Sequence, residues 1–216
     1  MAQLTDLGFA KGVIFETILS TYNSDGTPNA APMGITMQDP QNLTFNLFNS
    51  STTSRNLKAN KCGVINLTSN IELFYKTAFK EANPNGKLPP EWFEKAQTVD
   101  APKLCLADAT VEVSVAGMES IGEEKTKVSL NVERVDTVKS YPQVYNRAMA
   151  LTLEAIIHAT RVKAFTNIAQ EKERVGKLLE MIKNSDEIVN RVAPNSAYSM
   201  VMADLMKRID SWRNRQ

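Results

Sequence analysis

The sequence has little of the side-chain chemistry that enzymes commonly use for catalysis or metal binding. It contains one histidine, His158, and two cysteines, Cys62 and Cys105, in 216 residues. A structural zinc site needs about four sulfur or imidazole ligands, so we expect no metal site. The GxSxG, GxGxxG and GxxxxGK[ST] motifs are missing, and serine hydrolase, dinucleotide and P-loop signatures are therefore absent. If the protein is an enzyme, we expect a cofactor to carry the difficult step.

Long apolar runs and an excess of one charge are also missing. No apolar run reaches the roughly 18–20 residues of a transmembrane helix, and the first residues, MAQLTDLGFAKG, lack the apolar stretch of a secretory signal. The formal net charge is +1, whereas nucleic-acid binding usually needs a basic excess. We therefore expect a cytoplasmic protein without a membrane or nucleic-acid partner. Both cysteines have apolar neighbours, which predicts buried, reduced thiols.

The chain up to about residue 139 has the pattern of short antiparallel strands. Four strands are predicted at residues 13–22, 29–37, 43–48 and 61–68, because these segments are rich in β-branched and apolar residues and are separated by turn or polar segments. Two more follow from the alternation of apolar and polar residues at 111–116 and 128–133. Six such strands are enough to close a small barrel. Pro32 and Gly34 predict a bulge or a free edge in the second strand.

The segment around 70–103 interrupts this pattern and is predicted to be an insertion of helix and loop. A helix is expected at 71–79, a loop at 83–90 and a helical turn at 91–97. Trp92 and Phe93 in this segment have two interpretations. They could stack on a ligand as part of a lid, or they could anchor the loop to the core.

Residues 140–216 are predicted to form a helical domain. Amphipathic patterns at 143–165, 167–183 and 196–213 indicate three helices, with boundaries at 184–186 and 194–195. The fold class is therefore α+β, an antiparallel barrel over residues 1–139 followed by a C-terminal helical domain over 140–216.

The densest polar cluster is the segment SSTTSRN at residues 50–56. It lies between a predicted strand and a predicted short helix, where free backbone N–H groups and the positive end of a helix dipole attract phosphate. Arg55 adds a charged fork that suits a phosphate. On these residues alone, a solvated loop with a helix cap is favoured over a phosphate site.

This cluster and its neighbours together resemble the FMN-binding split-barrel superfamily, which includes flavin reductases. The similarity is carried by ETILSTYNSDGTPNAAPMGIT (16–36), STTSRNLKANKCGVINL (51–67) and AIIHATRVKAF (155–165). It is greatest for a prokaryotic subfamily of unknown function that adds a C-terminal helical domain. The resemblance implies a homodimer with FMN near the interface. It further implies that Thr52, Thr53, Arg55 and Asn56 hold the FMN phosphate. By the same resemblance, the flavin ring lies on the backbone of Pro32, Met33 and Gly34, and Asn66 lies near the flavin.

The resemblance leaves the reaction open. An FMN-dependent oxidoreductase that transfers hydride or electrons to a small molecule is the leading hypothesis. A non-catalytic protein that binds flavin or transfers it to a partner is the alternative, and a dimeric interaction module that has lost FMN is a third.

The first C-terminal helix carries the only catalytic candidate, His158. Arg147, Glu154 and Arg161 are spaced to share one stripe with it. One interpretation is a polar wall over the flavin, in which His158 donates a proton or binds an anionic substrate. The other is a stripe that faces solvent or a dimer partner.

Overall fold

Six strands build the first of two compact units in the computed structural model, which describes residues 2–137 and 146–213. They pair as a closed antiparallel barrel in the order β1-β2-β3-β8-β7-β4. The predicted barrel is therefore present. The strands of this unit, including a separate pair β5 and β6, are β1 (Ile14–Tyr22), β2 (Pro28–Asp39), β3 (Asn42–Phe48), β4 (Cys62–Leu67), β5 (Phe93–Lys95), β6 (Pro102–Leu104), β7 (Ala109–Ile121) and β8 (Lys125–Thr137).

The barrel core follows from the alternation of apolar residues along these strands. Side chains two positions apart point to the same face of a strand, so Val111 and Val113 in β7 and Val128 and Leu130 in β8 all point inward and are fully buried. The hairpin between β7 and β8 turns at Gly122, whose φ of 64° favours glycine.

The barrel is only partly paired between its second and third strands. β2 pairs with β1 over residues 28–36, but with β3 only over residues 36–39. The first part of β2 therefore has a second edge without a strand partner among the described residues. The predicted bulge at Pro32 and Gly34 is wrong, because their pairing with β1 is regular, and the predicted free edge is right.

A nine-residue helix, α1 (Thr52–Asn60), follows β3 and packs against β1 and β2. Leu57 is fully buried in the barrel core, and the Asn60 amide donates to the carbonyl of Tyr22 at 2.8 Å. These contacts fix the helix, and with it the polar cluster that forms its start.

The insertion contains more strand than the sequence predicts. The expected helical turn at 91–97 is wrong: a 3₁₀ turn, Pro90–Trp92, leads into β5, which pairs with β6. Backbone pairing across the insertion overrides its weak local preference. Trp92 and Phe93 are half-buried here, and a lid role for them stays a prediction.

The two cysteines differ in their surroundings. Cys62 is buried, and burial raises the pKa of its thiol. Cys105 is exposed, so the expectation that both are buried is wrong. It follows β6 directly, where its backbone N–H donates to the carbonyl of Trp92 at 2.9 Å, and its neighbour Leu106 is also exposed. The apolar neighbours of Cys105 do not indicate burial, because Cys105 and Leu106 both lie in a turn.

The second unit is helical. It comprises residues 69–79 together with the described residues from 146 onward. A membrane-crossing helix would have to be longer and more apolar than any helix in the described part of the chain. The helices are α2 (Ile71–Ala78), α3 (Arg147–Phe165), α4 (Lys172–Val192) and α5 (Ala197–Arg213).

The helix α2 belongs to this unit although it precedes the last barrel strands in sequence. Tyr75 donates a hydrogen bond to Asp204 of α5, and the Arg208 Nε donates to the Tyr75 hydroxyl at 2.6 Å. The ring of Phe79 also packs against Trp212, with centroids 5.6 Å apart. The structure thus groups residues 69–79 with the C-terminal helices. The predicted boundary at 139/140 lies outside the described residues and stays a prediction.

The predicted break at 184–186 is wrong, because α4 continues through it. Ile182 and Val189 are fully buried seven residues apart, so the same helix face continues inward. The polar residues between them lie on the exposed side, where the Ser185 hydroxyl donates to the carbonyl of Met181 at 3.0 Å. This bond satisfies the serine within the helix. The predicted start of α3 at 143 lies outside the described residues.

Candidate functional site

The loop before α1 is fixed to the hairpin between β7 and β8. The backbone N–H of Asn49 donates to the carbonyl of Glu124 at 2.8 Å, and its side-chain amide donates to the carbonyl of Glu123 at 2.9 Å. The N–H of Ser51 then donates to the carbonyl of Phe48 at 3.0 Å. The chain is therefore held in place where the polar cluster begins.

The first turn of α1 leaves two backbone donors without a partner among the described residues. Ser51 is the N-cap, and its hydroxyl accepts from the N–H of Ser54 at 3.1 Å, while its carbonyl accepts from the N–H of Arg55 at 3.3 Å. The earlier N–H groups of a helix have no partner within it, and here they belong to Thr52 and Thr53. They lie at the positive end of the helix dipole, which favours an anion.

Arg55 lies over the same turn. Its guanidinium donates to the carbonyl of Ser50 and to the hydroxyl of Thr52, each at 3.0 Å. Because a guanidinium has five N–H donors, donors remain after these two bonds. The side chain is exposed, so it is accessible to a bound anion.

Ser54 lies on the buried side of the same turn. The residue is fully buried, and its hydroxyl has no hydrogen-bond partner within the described residues. Thr53 beside it is also buried. Buried polar groups are nearly always hydrogen-bonded, so this hydroxyl is an exception among the described residues.

The last residue of the cluster, Asn56, faces the barrel. Its side-chain amide donates to the hydroxyl of Thr21 and to the carbonyl oxygen of the Asn23 side chain, each at 3.0 Å. It is buried. The structure therefore gives Asn56 a positioning role, in which it ties α1 to the end of β1.

The β2 segment Pro32 to Gly34 presents backbone rather than side chains. The hydroxyl of Thr17 donates to the Met33 carbonyl at 2.9 Å, which fixes the strand, and Met33 packs on the barrel core. A Cβ atom at Gly34 would lie 2.9 Å from Cγ2 of Ile14, closer than such atoms approach. Gly34 lines an open groove that also includes Ile14 and Ile121. A flat ligand could therefore approach the backbone at this free edge.

Asn66 lies away from any surface. It is 0% exposed, and its amide nitrogen donates to the Ile18 carbonyl at 2.9 Å and to the Ser20 hydroxyl at 2.8 Å. Its side-chain oxygen accepts from the N–H of Leu104 at 2.8 Å. These bonds occupy the amide from both ends, so the structure shows Asn66 joining β1 to β6 rather than facing a ligand.

His158 lies within the helical unit. It is 4% exposed, so the interpretation of a solvent-facing histidine is wrong, although Arg147, Glu154 and Arg161 are exposed. The Nδ1 atom is 3.5 Å from Oε1 of Glu154, without hydrogen-bond geometry, and neither ring nitrogen has a hydrogen-bond partner within the described residues. Burial lowers the pKa of the imidazole. Its catalytic role stays a prediction.

Comparison with known proteins identifies the family. A family model described as the N-terminal domain of a protein of unknown function (DUF447) matches residues 15–139, more than half of the chain. The chain belongs to the DUF447 family. Comparison with curated protein sequences gives no match.

Two solved structures support the fold of this DUF447 protein. An FMN-bound DUF447 protein from Methanosarcina mazei is 25% identical, with a TM-score of 0.77 over 95% of this chain and 99% of that chain. Nitrilotriacetate monooxygenase component B from Bacillus cereus is 15% identical, with a TM-score of 0.51 over 69% of this chain and 83% of that chain. The predicted α+β split barrel with C-terminal helices is confirmed.

A polar network next to α1 was not predicted. The Lys80 ammonium donates to the side-chain oxygen of Asn29, whose amide nitrogen donates to the Thr21 hydroxyl at 3.4 Å. The same hydroxyl accepts from Asn56, so the network runs from Lys80 to α1. The sequence hides it, because a lysine just after a helix usually indicates only a favourable charge near the negative end of the helix dipole.

Proposed function

We propose that this DUF447 protein binds FMN and that the start of α1 holds the phosphate. The observation that carries the proposal is the set of donors in that turn without partners among the described residues: the N–H groups of Thr52 and Thr53 and the remaining donors of Arg55. A phosphate has only acceptor oxygens when ionised, so it matches a site made of donors.

The similarity to the FMN-bound protein from Methanosarcina mazei supports the same ligand, since it extends over nearly the whole of both chains. In the proposed site, Thr52, Thr53 and Arg55 contact the phosphate, and Asn56 positions the helix. The backbone from Pro32 to Gly34 lines the flavin ring. Asn66 is left out of the contacts because its amide is already bonded inside the barrel.

We further propose that the protein is an oxidoreductase. FMN, when bound, accepts or donates hydride or single electrons, and the protein contributes binding and orientation. A protein that binds or transfers flavin without turnover is the second candidate. It is favoured by the lack of a side chain with an evident catalytic role beside the proposed ring segment in the described residues. A cytoplasmic location stays a prediction of the sequence.

We propose that the protein is a homodimer with FMN near the interface. The first unit exposes several large apolar side chains, of which Ile14 is 66% exposed. Ile14 and the exposed Ile121 both line the groove that contains Gly34. Exposed apolar side chains that share a groove with polar residues such as Glu16 and Lys127 are typical of an interaction surface, and this groove includes Gly34 of the proposed ring segment.

The phosphate assignment is tested by Arg55→Ala. Loss of a charged hydrogen bond costs about 1.5–3 kcal/mol, which corresponds to a dissociation constant for FMN that is about 10- to 150-fold higher. The measurement is a titration that follows the quenching of FMN fluorescence. An unchanged dissociation constant would overturn the assignment.

Lys58→Ala is the matched control, because Lys58 is an exposed cation near the other end of the same helix. It removes the same charge from α1 and should leave FMN binding within about twofold of the unmodified protein. Steady-state oxidation of NADH or NADPH by the FMN-loaded protein would favour the oxidoreductase. Tight FMN binding without turnover would favour the second candidate.

A further inference from the structure

A second cavity lies in the barrel unit, apart from the first turn of α1. Its volume is about 560 Å³. One wall is the start of β2 with Asn29, and the other is the segment from Pro84 to Glu91, in which Leu88, Pro89 and Pro90 supply apolar surface. Cavities of this size, mostly apolar with a few placed polar groups, are typical of small-molecule sites.

Lys80 is the half-buried cation of this cavity. Its ammonium donates to the side-chain oxygen of Asn29 and forms no ion pair with any residue in the described ranges. An ammonium has three N–H donors, so two remain after this bond. Burial without a carboxylate lowers the pKa of Lys80 below its usual value, which means that the charged form is held at a cost in stability.

Asn29, which accepts the hydrogen bond from Lys80, is held in place by further contacts. Asn29 is buried, and its amide nitrogen donates to the hydroxyl of Thr21, which is fully buried. The same hydroxyl accepts a second bond from Asn56 of α1 at 3.0 Å. The side-chain oxygen of Asn29 is therefore directed toward Lys80 by bonds on its other side, and it positions the ammonium in the cavity wall.

The other charged residues of the cavity are exposed at its rim. Asp25 already accepts from the hydroxyl and the N–H of Thr27, at 2.6 and 3.0 Å. Lys87 and Glu91 are both exposed. Lys80 is thus the charge that a ligand inside the cavity would meet, and two free N–H donors on a cation call for an anion.

We propose that this cavity binds a small anionic molecule through a carboxylate or phosphate group held by Lys80. The identification of that molecule as the substrate rests on the proposed FMN site. Asn29 and Pro32 are three residues apart on β2, or about 10 Å at the usual rise of a strand. The cavity and the proposed flavin ring segment therefore lie on the same strand, about 10 Å apart along it.

The test is isothermal titration calorimetry of the FMN-loaded protein with benzoate, with its neutral analogue benzamide and with inorganic phosphate. We expect at least one of the two anions to bind. If benzoate binds, benzamide should bind at least tenfold more weakly. Lys80→Met should weaken binding of that anion by about tenfold or more, since a charged hydrogen bond is lost. Lys87→Met, which removes the same charge from the exposed rim, should change it by less than about twofold.

Two further readouts separate the possible failures. Lys80→Met should weaken FMN binding far less than Arg55→Ala does, because Lys80 is linked to α1 through Asn29 and Thr21 rather than directly, and circular dichroism should show that the variant is folded. Equal anion binding by both lysine variants, or no binding of either anion, would overturn the proposal. A loss of FMN affinity as large as that of Arg55→Ala would also overturn it, by placing Lys80 in the FMN site. If the unmodified protein binds no FMN, the FMN proposal fails, and the anion titrations on that protein still decide the role of Lys80.

Discussion

Replacement of Glu112, a buried carboxylate, is expected to lower the stability of the protein by an amount that can be worked out from its hydrogen bonds. It lies on β7, is 0% exposed and accepts three backbone hydrogen bonds. The donors are the N–H groups of Gln97, Thr98 and Val99, with N–O distances of 2.9, 2.6 and 3.1 Å. The carboxylate therefore fixes the turn between β5 and β6 to the barrel wall.

Glu112→Gln keeps the shape of the side chain but replaces one oxygen by an NH₂ group. In the best orientation the remaining oxygen accepts from Thr98 and Val99, and the NH₂ group faces the N–H of Gln97. One unsatisfied N–H costs about 1–3 kcal/mol, and the two surviving bonds each lose about 1 kcal/mol because they are no longer to a charged acceptor. Relief of the buried charge offsets part of this loss. We expect a net destabilisation of about 2–4 kcal/mol, or about 4–16 °C for a chain of this length.

The assay is thermal unfolding followed by circular dichroism, with Glu119→Gln as the control. Glu119 is an exposed carboxylate on the same strand, so its replacement should change the midpoint by less than about 2 °C. Hydrogen exchange of the Gln97, Thr98 and Val99 amides should accelerate only in Glu112→Gln. If the two variants unfold at the same temperature, or if exchange in this turn is unaltered, the clamp has no energetic role and the reasoning is refuted.

Two further predictions concern the helical unit and the proposed dimer. Burial acts to raise the pKa of Asp204, but hydrogen bonds from Tyr75 and Arg208 outweigh this effect and hold the pKa below its usual value. The unmodified protein should therefore be more stable than Asp204→Asn above about pH 4, and this advantage should be lost as the pH falls further. A stability difference that does not depend on pH would contradict this. Ile14→Glu should convert the dimer to a monomer in light scattering, whereas Ile168→Glu, at an exposed isoleucine of the helical unit, should not; a monomeric unmodified protein would rule out the proposed interface.

The barrel could be predicted from the sequence because its strands carry local signals. Alternation placed Val111 and Val128 on inward faces, and turn residues marked the links between successive strands, although β7 and β8 are both longer than the predicted segments 111–116 and 128–133. The start of α1 was predictable for the same reason, since Ser51 is a preferred N-cap residue. Each of these features depends on neighbours in the sequence.

Features that depend on distant partners were missed. β5 and β6 are three residues each, and their pairing is a property of the assembled insertion. The sequence pattern around Asn66 could not show the bond from the N–H of Leu104, 38 residues away, to its side-chain oxygen, and its place near the flavin stays a prediction. Lys80 and Asn29 are 51 residues apart, so no local pattern could bring them together. Tertiary contacts decided these residues, and a sequence pattern cannot show them.

The polar residues inside the barrel unit fall into two kinds, and the difference indicates where ligands bind. Asn66 and Glu112 are fully buried and have protein partners for their oxygens, so they hold the fold. Ser54, Arg55 and Lys80 keep donors without partners in the described part of the chain. Since unsatisfied donors are costly to maintain, their concentration at the start of α1 and in the Lys80 cavity is best explained by ligands that bring acceptors. Both places combine free donors with a cation, which favours anions: in our proposals, the phosphate of FMN at the first and a carboxylate or phosphate of the second molecule at the other.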